Sequence, residues 1–257
     1  MEDFISDLTP KIYLNVFCGS FPENIHQEII FETNISWRFG RLGHKWVISY
    51  PEVSAHQLGI FNRDFSNGNI YVSNENGDEN HFIFPLSYPM GELLMINLLG
   101  LDRGIMLHAS GVIYKGEGYL FPGQGGAGKS TIARLWNQLP GVEAINDDKV
   151  ILRKMGDTYF IYGTPWHGEG GLALPQSAPL KQIFLIEKSE HNYISALSQT
   201  QSIIRIMNGA FLPLWDQQKM DFTLGFLSDL TKDISVQELG FVPDKSIIDF
   251  ILNLPIN

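Results

Sequence analysis

The sequence is that of an acidic protein of moderate length. It has 257 residues, of which 44% are hydrophobic and 18% charged, and its formal net charge at pH 7 is −10. These values suit one large or two small globular domains, and the excess of acids argues against a protein that coats nucleic acid. The single cysteine, Cys18, excludes an intrachain disulfide and a cysteine zinc site, and it fits a reducing compartment.

The start of the chain and its hydropathy predict neither a targeting segment nor a membrane partner. Met1 is followed by Glu2 and Asp3 rather than by a basic segment and an apolar run, so we expect no signal peptide. The apolar stretches are shorter than the eighteen residues that a membrane helix needs. We therefore expect a cytoplasmic protein.

Residues 1–88 are predicted to form a β-rich region. Partly alternating apolar runs mark candidate strands at residues 11–17, 28–32, 36–39, 45–50, 69–72 and 81–84. The polar run at 73–80, which contains Asn76-Gly77-Asp78, predicts a hairpin or loop between the last two runs. The many aromatic side chains indicate a packed core, and a ligand- or peptide-binding sheet is the alternative.

A helix and two strands open the predicted second domain, residues 89–257. An apolar helical pattern runs from about Met90 to Leu101. Residues 105–114 are predicted as a strand, and a short turn leads to a second strand that ends near Pro122. His108 interrupts the apolar run of the first strand, and a histidine there is either a hydrogen-bonded core residue or a functional one.

The second strand leads into a glycine-rich loop. Gly123 to Ser130 match the pattern G-x-x-x-x-G-K-[ST] at every fixed position. Glycines let backbone N–H groups turn toward phosphate oxygens, and the following helix adds free N–H groups and the positive end of its dipole. Lys129 would reach the β and γ phosphates, and the Ser130 hydroxyl would bind Mg²⁺. The predicted cofactors are therefore ATP and Mg²⁺, with the binding residues Gly123, Gln124, Gly125, Gly126, Ala127, Gly128, Lys129, Ser130 and Thr131.

Two other interpretations of this loop stay open. Gly123, Gly125 and Gly128 also fit G-x-G-x-x-G, and acids at 147–148 lie about twenty residues further on, as in a dinucleotide site. A structural glycine turn is the third interpretation. Lys129 favours the triphosphate, because a dinucleotide loop has no need of a lysine at that position.

A strand over residues 142–148 is predicted to end in two acids, Asp147 and Asp148. A carboxylate at a strand end beside the phosphates is what Mg²⁺ coordination needs. A second carboxylate, less committed to the metal, would accept the proton of an attacking hydroxyl. The alternative is a solvated turn or an Asx-turn without a chemical role.

A second glycine-rich segment, residues 163–171, carries Trp166, His167 and Glu169. Such a loop either forms a substrate lip, with Glu169 as a further metal or substrate ligand, or is purely structural. Further along, Arg205 and Lys219 lie in a mainly helical segment at about 198–232, broken near Pro213. They are either surface cations or phosphate ligands. The other predicted elements are a hairpin over 149–162, a strand over 179–187 and a final helix over 245–254.

The block from His108 to Asp148 resembles the catalytic domain of the HPr serine kinase/phosphorylase family, which shares its nucleotide-binding core with phosphoenolpyruvate carboxykinases. The residues that carry the resemblance are Leu107–Ser110, Gly123–Thr131 and Asn146–Asp148. It implies an α/β (α+β) fold: a P-loop domain with a mixed sheet over residues 89–257, preceded by the β-rich region in place of that family's usual N-terminal domain.

The resemblance also implies roles for individual residues. Lys129 and Ser130 match the residues that hold the phosphates and Mg²⁺, and Asp148 matches the base that activates the acceptor hydroxyl. His108 matches a histidine next to the phosphate site, Asp147 lies nearer the metal, and Glu169 matches a second metal ligand. The predicted catalytic residues are therefore Asp148, His108 and Lys129, and the predicted metal ligands are Ser130, Asp147 and Glu169.

The function predicted from these residues is an ATP- and Mg²⁺-dependent kinase that transfers the γ-phosphoryl group to a hydroxyl. The acceptor expected is a serine of a protein or peptide, no nucleic-acid or membrane partner is expected, and a homo-oligomer is compatible with the sequence. One alternative is a catalytically silent ATP-binding regulatory protein. Another is a dinucleotide-dependent oxidoreductase.

Overall fold

The fold is described by a computed structural model over residues 2–5, 9–22, 25–33, 36–50, 57–73 and 84–254. It is mixed α/β, with two sheets and few helices. The chain divides into two compact units. The β unit comprises the described residues within 7–101 together with 213–220, and the mixed unit comprises those within 1–6, 102–212 and 221–257. Among the helices in the described ranges, none is long and apolar enough to cross a bilayer.

The β unit contains one six-stranded sheet and one helix. Its elements are β1 (Tyr13–Cys18), β2 (Glu28–Glu32), β3 (Arg38–Leu42), β4 (Lys45–Ser49), β5 (Gln57–Phe61), β6 (Asn67–Val72) and α1 (Met90–Leu99). The strand order is β1-β6-β5-β4-β3-β2, and only the β1–β6 pair is parallel among the pairs described. Fully buried Phe39, Val47, Phe61 and Ile70 form part of its core, as their alternation along the strands requires.

The predicted strands at 11–17, 28–32, 36–39, 45–50 and 69–72 are confirmed within a few residues as β1, β2, β3, β4 and β6. The strand β5 was not predicted, because Gly59 interrupts its short apolar run. A Cβ at Gly59 would lie 2.8 Å from the Met90 sulfur of α1, so only glycine leaves room for this packing. Residues 74–80 of the loop predicted over 73–80, and residues 81–83 of the last predicted strand, lie outside the described residues. The predicted domain boundary at 88/89, which would separate α1 from this sheet, stays a prediction.

The mixed unit contains the second sheet. Its elements are a 3₁₀ turn (Glu2–Phe4), β7 (Ile105–Tyr114), β8 (Glu117–Pro122), α2 (Lys129–Trp136), β9 (Val142–Asn146), β10 (Lys149–Met155), β11 (Thr158–Gly163), β12 (Ser177–Lys188), β13 (Tyr193–Ala196), α3 (Gln199–Met207), most of α4 (Gln217–Asp233), β14 (Ser235–Phe241) and α5 (Ser246–Leu252). The main strand path is β11-β10-β7-β8-β12-β14-β13, with β9 paired to β7 and β11 also paired to β12. The predicted mixed sheet is confirmed, since β12 runs parallel to β8 and β14 while the other pairs are antiparallel.

Two hydrophobic clusters lie on the two faces of this sheet. Ile183 and Leu185 of β12 belong to a cluster with side chains of α3 and α4, whereas Phe184 and Ile186 belong to a cluster with α2 and α5. The alternation follows from the pleat, which sends successive side chains to opposite faces. Helices on both faces therefore hold the strand ends at one sheet edge in a fixed position.

The register of β7 with β8 and β10 determines which residues lie next to each other at that edge. Ala109 of β7 lies opposite Pro122 at the end of β8, and His108 lies opposite Lys149 at the start of β10. The glycine-rich loop after β8, His108 and the acidic turn before β10 are therefore neighbours in space.

Candidate functional site

The loop between β8 and α2, residues 123–128, takes a conformation that depends on its glycines. Gly126 and Gly128 have φ angles of 78° and 105°, a region that other residues rarely adopt. A Cβ at Gly128 would lie 2.6 Å from the ring of Phe241, and one at Gly123 would lie 2.9 Å from Ile186. Both ends of the loop are thus held against packed side chains, while Gly125 has open space on its Cβ side.

Lys129, the first residue of α2, points back into this loop. Its Nζ donates to the carbonyl oxygens of Gly123 and Gln124, at 3.0 and 3.1 Å. Burial lowers the pKa of its ammonium, and the charge of Asp148 acts in the opposite direction. The Lys129 ammonium therefore lies against the backbone carbonyl groups of the loop and interacts electrostatically with the Asp148 carboxylate.

The start of α2 leaves its backbone donors available. Its N-cap residue is Gly128, and no side chain caps the N–H groups of the first turn, which includes Ser130 and Thr131. Uncapped N–H groups and the positive end of the helix dipole favour an anion at this position. Together with the open face of Gly125 and the inward Lys129 ammonium, they fit the phosphate groups that the loop motif predicts.

The acidic turn between β9 and β10 is shaped by Asn146, which is fully buried. Its Oδ1 accepts hydrogen bonds from the backbone N–H groups of Asp148 and Lys149, at 2.7 and 2.6 Å. Its Nδ2 donates to the carbonyl oxygens of Thr164 and Trp166, at 2.8 and 3.1 Å. The amide thus forms an Asx-turn and also joins that turn to the start of the 163–171 loop. Sequence reasoning assigned Asn146 no role of its own.

The two adjacent acids have different surroundings. Asp147 is 1% exposed, and its two carboxylate oxygens accept hydrogen bonds from the backbone N–H groups of Gly168 and Gly170, at 2.9 and 2.6 Å. A Cβ at Gly170 would overlap Asp147 Oδ2 and lie 2.9 Å from Cγ. Asp147 therefore anchors the second glycine-rich loop, and its predicted metal role stays a prediction.

Asp148 is held by two basic side chains. Its Oδ1 lies 2.7 Å from His108 Nε2, and its Oδ2 contacts Lys149 Nζ. The hydrogen bond from His108, followed by the bond from Lys149, holds the pKa of Asp148 well below its usual range despite partial burial. The predicted catalytic residues Asp148, His108 and Lys129 are thus brought together on one flank of the glycine-rich loop.

The predicted metal ligands form no complete protein site. In the parts of the chain that the structure describes, no group of three or more His, Cys, Asp and Glu side chains is placed to hold a metal ion. Ser130 lies in the first turn of α2, Asp147 is buried under the second glycine-rich loop, and Glu169 is exposed in that loop. Mg²⁺ commonly needs only one or two protein ligands beside phosphates and water, so this arrangement is compatible with a metal that arrives with a nucleotide.

A second group of polar side chains lies on the other side of the loop, and we name it the Glu187 network. It consists of Glu187 near the end of β12, Tyr193 of β13, Arg205 of α3 and Glu238 of β14. Arg205 pairs with Glu238 through Nη1, and Tyr193 Oη donates to Glu187 Oε1. The sequence signal for Glu187 is an acid after four apolar residues at the end of a predicted strand. Lys219, the other candidate cation, instead pairs with Asp216 and Asn97 in the β unit.

Comparisons with known proteins give a family and, among the solved structures that match, a remote likeness. A family model described as "SynChlorMet cassette protein ScmC" matches residues 89–225, more than half of the chain. A comparison with curated proteins gave no match. Among solved structures, the Hpr(Ser) kinase/phosphatase from Coxiella burnetii aligns with 36% of this chain and 72% of its own, with 15% sequence identity and a TM-score of 0.27. A TM-score this low does not establish a shared fold.

Proposed function

The chain belongs to the SynChlorMet cassette protein ScmC family, and we propose that it is an ATP- and Mg²⁺-dependent kinase that phosphorylates a hydroxyl. The observation that carries the proposal is the position of Asp148. Its carboxylate is fixed by His108 and Lys149 and lies within electrostatic range of Lys129, which points into a glycine-rich loop. A loop suited to bind phosphates and a candidate base thus lie next to each other.

The loop after β8 acts as the P-loop of this site. Backbone N–H groups of the loop and of the first turn of α2 bind the phosphates, and Lys129 supplies a positive charge for the β and γ groups. The hydroxyls of Ser130 and Thr131 lie in that turn. Ser130, with Asp147 and Glu169 as the further predicted ligands, would hold Mg²⁺, which when bound neutralises part of the phosphate charge.

Asp148 orients the acceptor hydroxyl and takes its proton as the oxygen is phosphorylated. A carboxylate with a strongly lowered pKa is a weak base, and this suits a loose transition state in which the proton leaves the acceptor late. His108 and Lys149 position the carboxylate and keep it ionised. The acceptor is a serine hydroxyl of a protein or peptide.

One observation favours a second candidate, a catalytically silent ATP-binding regulatory protein. Both oxygens of Asp148 already have basic partners, His108 and Lys149. If neither partner yields to an acceptor hydroxyl, the site binds ATP without transferring its phosphoryl group. ATP turnover that depends on serine-containing peptides would distinguish the kinase from the silent ATP-binding protein.

The decisive experiment is calorimetry with ATP and with NAD, with and without Mg²⁺, on the wild type and on Lys129→Ala. We expect ATP binding that depends on Mg²⁺ and weakens by about 30-fold or more in the variant, since a charge-assisted contact to phosphate is lost. Lys232→Ala removes an exposed lysine at the end of α4 and is the matched control, with unchanged binding. NAD binding that ignores both Mg²⁺ and Lys129→Ala would overturn the kinase and support an oxidoreductase.

A further inference from the structure

A cavity of about 410 Å³ lies on the side of the P-loop where the Glu187 network is found. Three segments of the mixed unit line it: the loop backbone over 122–127, the end of β12 over 185–188, and the C-terminal end of α3 with Arg205, Asn208 and Gly209. Its volume falls in the range of small-molecule sites. The cavity therefore continues directly from the backbone proposed to hold the phosphates.

The position of Glu187 in the sheet is that of a ligand-binding residue. β12 is the neighbour of β8 and runs parallel to it, so Glu187 comes from the carboxyl end of the strand beside the P-loop strand. In open α/β sheets ligands bind outside the carboxyl ends of such strands, and an acid at the end of the neighbouring strand is suited to bond a ribose hydroxyl. The acids at 147–148 follow β9, which runs in the same direction as β8 but is separated from it by β7.

The Glu187 network fixes the carboxylate and leaves one oxygen for a ligand. Oε1 accepts the Tyr193 hydroxyl, which also lies 3.2 Å from Glu238 Oε1. Oε2 lies 3.9 Å from Arg205 Nη2, beyond hydrogen-bond distance. The Glu187 side chain is 46% exposed. A fixed carboxylate oxygen beside a cavity is an acceptor for a hydrogen-bond donor of the ligand.

The charges of the network select the kind of group that binds. Arg205 is shared by two carboxylates, Glu187 and Glu238, so its guanidinium offers little to an anionic group. The other cation of the lining, Lys188, is exposed at the end of β12. A neutral group with hydroxyl donors meets no such penalty. The ribose of a nucleotide is such a group, and its phosphates stay on the cationic side of the loop with Lys129.

We propose that this cavity is the nucleoside subsite and that Glu187 Oε2 accepts a hydrogen bond from a ribose hydroxyl. The inference rests on the proposed function, since it takes the phosphates to lie in the P-loop. Tyr193, Arg205 and Glu238 are positioning residues, because they act through the Glu187 carboxylate. The flank with Asp148 and His108 then stays open for the acceptor hydroxyl.

The test compares the calorimetric binding of ATP, 2′-deoxy-ATP, 3′-deoxy-ATP and inorganic tripolyphosphate, all with Mg²⁺. Glu187→Gln keeps the shape of the side chain and its bond with Tyr193 but removes the charge. We expect it to weaken ATP about tenfold, because a hydrogen bond to a charged group is lost, and to leave tripolyphosphate unchanged. Glu190→Gln removes an exposed acid three residues away and is the control, with no change for either ligand.

The deoxynucleotides test the same bond on the unmodified protein. The wild type should bind one of the two about tenfold more weakly than ATP, and Glu187→Gln should lose that discrimination. Equal weakening of ATP and tripolyphosphate by Glu187→Gln, or equal binding of all three nucleotides by the wild type, would overturn the subsite. If the glycine-rich loop does not hold the phosphates, the pattern is different, because the wild type would then bind neither ATP nor tripolyphosphate.

Discussion

The two flanks of the glycine-rich loop after β8 hold their acids in different ways. On one flank, Asp148 lies between His108 and Lys149, so one carboxylate has two basic partners. On the other, Glu187 shares Arg205 and Tyr193 with a second carboxylate, Glu238. The first flank places one carboxylate between two basic side chains, and we propose it for the γ-phosphoryl group and its transfer. The second places two carboxylates around one guanidinium, and we propose it for a neutral, hydroxyl-bearing group.

The flanks also differ in how the chain assembles them. Residues 108–149 form the first flank through neighbouring strands and one turn, and the Asx-turn of Asn146 sets its geometry locally. The second flank joins β12, β13 and β14 through the sheet order, with Arg205 of α3 paired to them. The two proposed roles, phosphoryl transfer and nucleoside recognition, therefore fall on separate stretches of the chain.

Among the tests of this comparison, the largest effect is expected from Asp148→Asn. The variant keeps the size of the side chain but loses the carboxylate that takes the acceptor proton, so transfer should fall by about 10²–10⁴-fold. ATP binding should change little, because the backbone of the glycine-rich loop and the Lys129 side chain that would hold the phosphates are both retained. The measurement is ATP turnover with serine-containing peptides beside calorimetric ATP affinity. Transfer at the wild-type rate would remove Asp148 from the role of base.

An intermediate effect on stability is expected from Gly170→Ala, which separates the role of Asp147 from that of Asp148. The added methyl overlaps Asp147 Oδ2, and the buried carboxylate cannot move without losing its bonds to Gly168 and Gly170. The free energy of unfolding in urea should fall by about 1–3 kcal/mol.

Gly225→Ala is the control for this prediction, since Gly225 lies inside α4 with nothing within 4 Å of its Cβ position. Alanine there should keep or raise stability, because it is the better helix former. Equal unfolding free energies for Gly170→Ala and the wild type would show that Asp147 does not anchor the loop, and would strengthen its predicted metal role.

The smallest effect concerns the ionisation of Asp148. Its pKa in the folded protein lies below the ordinary value of about 3.9. The carboxylate therefore stabilises the fold fully above that value, and the contribution is lost as the pH falls through the lowered pKa. Carboxyl-carbon NMR should show Asp148 ionised throughout pH 5–8, with titration at the acid end. His108→Ala should move this titration toward the ordinary value; an unmoved titration would mean that the histidine does not hold the carboxylate.

Most residues of the first flank could be named from the sequence because they are chemically distinctive, whereas Lys149, the second partner of Asp148, was predicted only as part of a strand. The spacing of Gly123 to Ser130 is typical of few structures other than a phosphate-binding loop. His108 and Asp148 lie in or next to the strands predicted on either side of it in the chain. Most strands of the β-rich region were predicted from alternation, and the mixed sheet was expected from the family resemblance. The family resemblance and the individual roles of these residues, in contrast, stay predictions.

The parts that escaped prediction depend on long-range or backbone contacts. The place of Glu187 beside the P-loop depends on the parallel pairing of β12 with β8, which no local pattern encodes. The partners of Asp147 are backbone N–H groups of Gly168 and Gly170, and backbone donors leave no signature in side-chain types. The strand β5 was missed because Gly59 interrupts its apolar run. The contact that favours glycine there is with Met90, about thirty residues further along the chain.

The buried amide of Asn146 restricts what evolution or design can place at that position. The turn needs an acceptor for two N–H groups, and the next loop needs a donor for two carbonyl oxygens. Aspartate would supply the acceptor but set a negative charge against both carbonyls, serine is too short to span the two segments, and glutamine carries one methylene too many for a closed site. Asparagine provides the acceptor and the donor on one side chain of this length, so we expect position 146 to tolerate no other residue.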